Sequence, residues 1–157
     1  IFKKKMSKPI DTIGIIRESR PDENRAPLVP DHIQKLKLKY PNLNILVQPS
    51  KNRCFSDDEY KSKGAEINED LSNCSIIFGV KEINTDILVN NKTYIFFSHT
   101  YKLNKETLNN AQGTPGMDKK ELLKSILEKN IKLIDYENIR DKNSSRYLGF
   151  GRFAGIV

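Results

Sequence analysis

The stretch "SIIFGVKEINTDILVNNKTYIFFSHT", Ser75 to Thr100, decides how this chain is read. Its two apolar runs, 75–80 and 93–97, are continuous β-branched and aromatic segments, the pattern of strands buried on both faces. Each run stops abruptly at groups that titrate: Lys81 and Glu82 after the first, His99 after the second. Working outward, "TIGIIR" (12–17), "NILVQ" (44–48) and "KLIDY" (132–136) read as further strands. Between them lie polar segments of helical character. Asp31 to Tyr40 carries Ile33 and Leu36 on one face and stops at Pro41. "SDDEYKSKG" offers a cap at Ser56, acids in the first turn and Gly64 as a stop. Met117 to Asn130 is the strongest helix, with capping-box spacing at Asp118 and Glu121 and a stripe of Leu122, Leu123, Ile126 and Leu127. The alternation predicts the α/β class: a Rossmann-like (flavodoxin-like), mostly parallel sheet with helices on both faces. "NNAQGTPG" (109–116) reads as a surface insertion.

Composition bounds the function. The 157 residues suit one domain, and 37% hydrophobic with 30% charged residues fits a globular chain. Residues 1–11 are expected to be a disordered or terminal segment, and 12–157 the folded unit. No apolar run approaches the roughly 18 residues of a membrane span, and no apolar core follows the early lysines as in a signal peptide. Cys54 and Cys74 are too few and too far apart for a metal knuckle, so no metal is expected; reduced thiols fit a cytoplasmic protein. The net charge of +7 comes from lysines interleaved with acids, without a zinc finger or an arginine stripe. Nucleic acid and membrane are therefore not the expected partners.

Ligands of open α/β sheets bind outside the carboxyl ends of the strands, which directs attention to the strand exits. Arg25, in "ENR" after the first strand, is suited to grip a carboxylate through two parallel hydrogen bonds, or to a surface pair with Glu23 or Asp22. Lys81 is a candidate acid-base group or an electrostatic partner for a keto oxygen, and Glu82 either tunes it or pairs with it. His99 ends a buried strand at the mouth of the site, which suits either an imidazole serving proton transfer near neutral pH or a satisfied structural histidine. His32 falls on a lysine-rich helix and reads as a surface residue. No G-x-G-x-x-G follows a strand and opens a helix; "GFGRFAG" (149–155) has one residue too many. Substrate-type groups stand here without a cofactor cradle.

Taken in order, "IGIIRESRPDENRAPLVPDHIQKL", "GVKE", "FFSHT", "LIDYE" and "FGRFAGIV" resemble the N-terminal domain of the alanine dehydrogenase and pyridine nucleotide transhydrogenase superfamily. The resemblance spans Thr12 to Val157 and is nearest the saccharopine dehydrogenase (lysine-forming) and lysine-ketoglutarate reductase branch. It implies a two-domain NAD- or NADP-dependent oxidoreductase acting on CH–NH groups, this domain carrying the catalytic side chains. The nucleotide is then bound mainly by a following domain that this chain lacks, so the chain alone is expected to be inactive. By motif, the resemblance makes Lys81 and His99 the acid-base pair and Arg25 the carboxylate clamp. Glu82 and Glu137 match acids lining the site, and Arg146 matches a second carboxylate-binding position. "KNSSR" departs from the usual glycine-containing turn before Arg146, and the long stretch 100–120 leaves the amino-acid partner open. Expected partners are a small 2-oxo acid or amino acid, the protein's own C-terminal nucleotide-binding domain and, as an open expectation, a second copy in a homo-oligomer. Two alternatives stand beside this reading: a non-catalytic module binding a 2-oxo acid or amino acid, and a transhydrogenase alpha-subunit-like domain.

Overall fold

The computed structural model describes residues 12–100 and 119–148. The insertion read at 109–116, the cap at Asp118, the glycine-rich 149–155 and residues 1–11 lie outside the described residues. Six strands, β1 (Thr12–Ile15), β2 (Asn44–Val47), β3 (Glu66–Ile67), β4 (Ile76–Phe78), β5 (Thr93–Phe96) and β6 (Lys132–Asp135), form one sheet in the order β3-β2-β1-β4-β5-β6. Every pairing is parallel. Of the two common doubly wound orders this is the one found in dinucleotide-binding folds, and its strand order reverses between β1 and β4.

Side chains alternate between the two faces, as a strand requires. Ile13, Ile15, Ile45 and Val47 enter one core with Ile33 and Tyr60, from helices α1 (Pro30–Lys39) and α2 (Asp57–Ser62). Leu46, Ile77, Tyr94 and Phe96 enter the opposite core with Leu122 and Ile126 of α3 (Lys119–Glu128). The sheet is thus covered on both sides. The helix ends follow local chemistry. α1 begins with Pro30 in its first turn and carries Lys37 and Lys39 in its last. In α2 the Glu59 amide donates to Ser56 Oγ at 3.2 Å, and the Ser56 amide donates to Glu59 Oε2 at 2.7 Å. Gly64, at φ +95°, turns the chain out of that helix. β3 has no counterpart in the sequence reading, because two residues pairing Leu46 with Glu66 and Val47 with Ile67 carry no periodic signal. His32 is exposed, as expected. Among the described residues, no helix is long and apolar enough to cross a membrane.

Gly14 lies mid-strand in β1, where the backbone approaches the turn before β4. A Cβ there would stand 2.9 Å from Cys74 Sγ and 3.2 Å from Leu71 Cδ1, both buried. Gly14→Ala is expected to lower unfolding stability by about 1–3 kcal/mol, the usual cost of overpacking. In the double variant with Cys74→Ala, urea unfolding is expected to give a loss smaller than the sum of the single losses, because truncating Cys74 makes the room that the added methyl group needs.

Candidate functional site

The β1 exit carries the first group of candidate side chains. The turn Arg20–Glu23, closed by the Glu23 amide donating to Arg20 O at 3.2 Å, brings Glu23 inward until it is 7% exposed. Its carboxylate then takes Arg25 by a fork: Arg25 Nε donates to Oε1 at 2.7 Å and Nη2 to Oε2 at 2.5 Å. These hydrogen bonds hold the Glu23 carboxyl below its ordinary value, against the upward push of burial. Of the two readings of Arg25, its pairing with Glu23 is therefore present, yet the Arg25 side chain keeps 43% of its surface exposed. It borders both cavities described below.

At the β4 exit, Val80 and Glu82 are buried and Lys81 lies half-buried between them. Glu82 does not pair with its neighbour Lys81. Its Oε1 lies 2.5 Å from His99 Nδ1 at the β5 exit. Burial pushes the Glu82 carboxyl up, but the hydrogen bond and charge of His99, with a smaller contribution from Lys81, leave it below its ordinary value. An ionised carboxylate only accepts, so the shared proton is on Nδ1, and Nε2 is the nitrogen that takes or gives one. His99 sits at φ +54°, a left-handed conformation that side-chain-bearing residues seldom adopt, and its ring stacks on Phe97 at 6.4 Å.

That conformation is held from below. Ser98 is fully buried, and its Oγ donates to Asp135 Oδ2 at 2.5 Å while its amide donates to the same oxygen at 3.2 Å. The Glu137 amide donates to Asp135 Oδ1 at 2.8 Å. One buried carboxylate at the end of β6 thereby fixes the backbone before His99 and the backbone of Glu137. Tyr136, between them, packs against Phe97 at 5.0 Å between ring centres. Burial, with the negative charge of Glu18, pushes its phenol up to about 12. Glu137 is itself buried and receives Arg146 Nη1 at 3.2 Å.

Two cavities open at this end of the sheet. The smaller, about 310 Å³, is mainly apolar, and Arg25, Val80, Phe97 and Tyr136 bring the β1, β4, β5 and β6 exits to it. The larger, about 550 Å³, is bordered by Glu18, Glu23, Arg25, Arg53 and Lys51 at the β1 and β2 exits. Lys81, Glu82 and His99 border neither; they flank the smaller cavity through their neighbours Val80 and Phe97. Arg53, which the sequence reading passed over, packs over the Tyr60 ring and donates to Gln48 O, Phe55 O and Asp57, so it holds the β2 exit loop in shape. Glu18, Ser98 and Asp135 were also missed as interacting groups, since their partners are distant in sequence and partly backbone. Among the described residues no group of three or more His, Cys, Asp or Glu stands together to hold a metal ion.

Comparison with known proteins agrees with this architecture. The profile of the family described as alanine dehydrogenase/PNT, N-terminal domain, matches residues 14–157. The mitochondrial alpha-aminoadipic semialdehyde synthase of Mus musculus is 39% identical over 136 residues, which is 86% of this chain and 13% of that protein. A saccharopine dehydrogenase [NAD(+), L-lysine-forming] of Candida glabrata is 31% identical over 152 residues, 93% of this chain and 37% of that protein. The chain thus spans only a minor part of the length of these relatives. Among solved structures, an L-alanine dehydrogenase superposes with a TM-score of 0.65 at 17% identity, covering 85% of this chain and 34% of its own, a likeness of fold. With its parallel sheet, its strand-exit residues and a profile match over nearly its whole length, the chain belongs to the alanine dehydrogenase/PNT N-terminal domain family.

Proposed function

We propose that this chain is the substrate-handling, catalytic domain of an NAD(P)-dependent amino-acid dehydrogenase of saccharopine or alanine dehydrogenase type. In this reading it forms or cleaves the C–N bond of a 2-oxo acid–amine adduct. The observation that carries the proposal is the Glu82–His99 pair, set beside Lys81 where the β4 and β5 exits meet an apolar cavity bordered by Arg25.

The chemistry follows from the groups present. A 2-oxo acid enters carboxylate first, and Arg25, oriented by Glu23, binds it. Attack of an amine on the keto carbon gives a carbinolamine, which must lose a proton from nitrogen and water from carbon. Lys81 and His99 divide those transfers: one protonates the departing oxygen, the other takes the proton from nitrogen. Glu82 keeps the transferable site of His99 on Nε2. The apolar walls of Val80, Phe97 and Tyr136 exclude water from the imine. Glu137 and Arg146, paired at 3.2 Å, supply a further anchor for a second carboxylate.

The described residues do not fit a dinucleotide. β1 runs into Ile16, Arg17 and Glu18 rather than a glycine-rich turn, and the amides of Val80 and Lys81 already donate to Glu18. We therefore assign nucleotide binding to an adjoining domain of a longer polypeptide, where the nicotinamide supplies or accepts the hydride.

In that longer polypeptide, oxidation of NADH or NADPH is to be followed with 2-oxoglutarate plus lysine and, separately, with pyruvate plus ammonia. Turnover with one pair is expected, with kcat/KM falling about 10²–10⁴-fold in His99→Gln and in Lys81→Met. Both variants turning over like the parent would sink the proposal. Arg25→Ala is expected to raise KM for the 2-oxo acid at least about tenfold, in line with the loss of a charge-assisted pair.

Glu23 and Glu82 also set a pH dependence. Both carboxyls titrate below their ordinary value of 4.5 in the fold. Their stabilisation is therefore present above about pH 4.5 and lost as pH falls through the folded values. Glu18 is raised by burial, so its own contribution has the opposite sign. Urea unfolding between about pH 6 and pH 3 is expected to show stability falling less steeply with acid in Glu82→Gln than in the parent.

A further inference from the structure

Glu18 lies at the point where the strand order reverses, and its carboxylate crosses from the β1 exit to the β4 exit. Oε1 accepts from the Val80 amide at 2.7 Å and Oε2 from the Lys81 amide at 2.9 Å, partners 62 and 63 residues away. The next residue repeats the crossing: the Asn84 amide donates to Ser19 Oγ at 3.0 Å. The two exits are in close contact here. A Cβ on Gly79 would stand 3.2 Å from Ile16 Cγ2 and 3.6 Å from Glu18 Oε1. On either side of Lys81, Val80 is 5% exposed and Ile83 is 2% exposed. The backbone of Lys81 is thus anchored by packing before and after it, and by a carboxylate at its own N–H.

Two successive amides aimed into the crevice at a strand's carboxyl end form an anion-binding arrangement. In this fold the anion is part of the chain. We propose that Glu18 is a positioning residue for Lys81: bound to both amides, it fixes the backbone from which the Lys81 amine and the Glu82 carboxylate project. The effect is geometric. Lys81 Nζ has no ion-pair or hydrogen-bond partner among the described residues, so its placement depends on its backbone. This inference rests on Lys81 handling protons in the proposed reaction.

Glu18→Gln is the discriminating variant, because the Gln amide keeps one acceptor and turns an N–H₂ toward one of the two donors. In the longer polypeptide, kcat is expected to fall about 10- to 100-fold, the cost of misplacing a reacting group by about 1 Å. KM for the 2-oxo acid should stay within about threefold, since Arg25 is untouched. A merely structural Glu18 would lower the melting temperature and the folded yield while kcat per folded molecule stayed the same, and that result overturns the proposal. Lys81→Met is assayed alongside. If it is inactive while Glu18→Gln works like the parent, positioning alone is refuted; if it is active, the reading of Lys81 fails and takes this proposal with it. Should Glu18→Gln not fold, the parent chain still decides. Acidification is expected to move the Val80 and Lys81 amide proton resonances together along one carboxyl titration, and independent or absent movement overturns the bonding.

Discussion

Parallel pairing of β1 with β4, which sets Ile13, Gly14 and Ile15 against Ile76, Ile77 and Phe78, is the constraint on which the rest depends. The central strands β1, β4 and β5 of this parallel sheet, covered on both faces, carry no charged residue, so polar chemistry gathers at the exits. The pairing also fixes which exits are neighbours. Chain leaving β1 turns toward α1 while chain leaving β4 leads to β5, and the crevice between them is bridged from Glu18 to Val80 and Lys81. Gly14 belongs to the same constraint, because only a residue without a Cβ lets β1 run that close to Leu71 and Cys74.

Around the crevice one pattern recurs. Three basic groups there are each held by a carboxylate more buried than itself: side-chain exposures are 43% for Arg25 and 7% for Glu23, 19% for His99 and 11% for Glu82, and 40% for Arg146 and 4% for Glu137. Such pairs are poor sources of stability, because withdrawing the acid from water offsets much of the attraction. They do orient. A partly exposed guanidinium or imidazole with a fixed anchor loses less conformational freedom when it meets a ligand than one that must be ordered at that moment. The left-handed backbone of His99, over-determined by Ser98, Asp135 and Glu82, follows the same logic.

Much of this was legible in the sequence. Runs such as Ile76–Phe78 and Thr93–Phe96 signal buried strands through continuous apolar character, and the Ser56 cap and Gly64 stop delimit α2 by local chemistry alone. Lys81, Glu82 and His99 were reachable because they follow apolar runs at strand ends, and Arg25 because it lies in the loop after the first strand. The pairing of Arg25 with Glu23 was legible too, but that of Glu82 with His99 was not. Glu82 stands next to Lys81 in sequence, yet adjacent residues at an exit point apart, and the partner it meets comes from the neighbouring strand. Glu18 was invisible for a stronger reason: it bonds backbone amides, which every residue carries, so no residue type announces the contact. Asp135 in "LIDYE" reads as part of a strand, and only the β5–β6 register, with Phe96 opposite Asp135, brings it under Ser98.

The strand order is that of a dinucleotide-binding fold, but order alone does not make a nucleotide site. A pyrophosphate needs donors at the switch point, and donors there need either solvent or an anion. In this chain Glu18 meets that need internally, at the cost of a partly desolvated carboxylate whose pKa is raised by burial and lowered again by the two amides. A bound phosphate would have to displace a carboxylate tethered in place, which competes at an effective concentration far above that of a free ligand. The same carboxylate that occupies these donors is bonded to the backbone of Lys81. The switch point that binds a cofactor in other doubly wound sheets is here occupied by a contact within the protein, next to Val80, which borders the small apolar cavity.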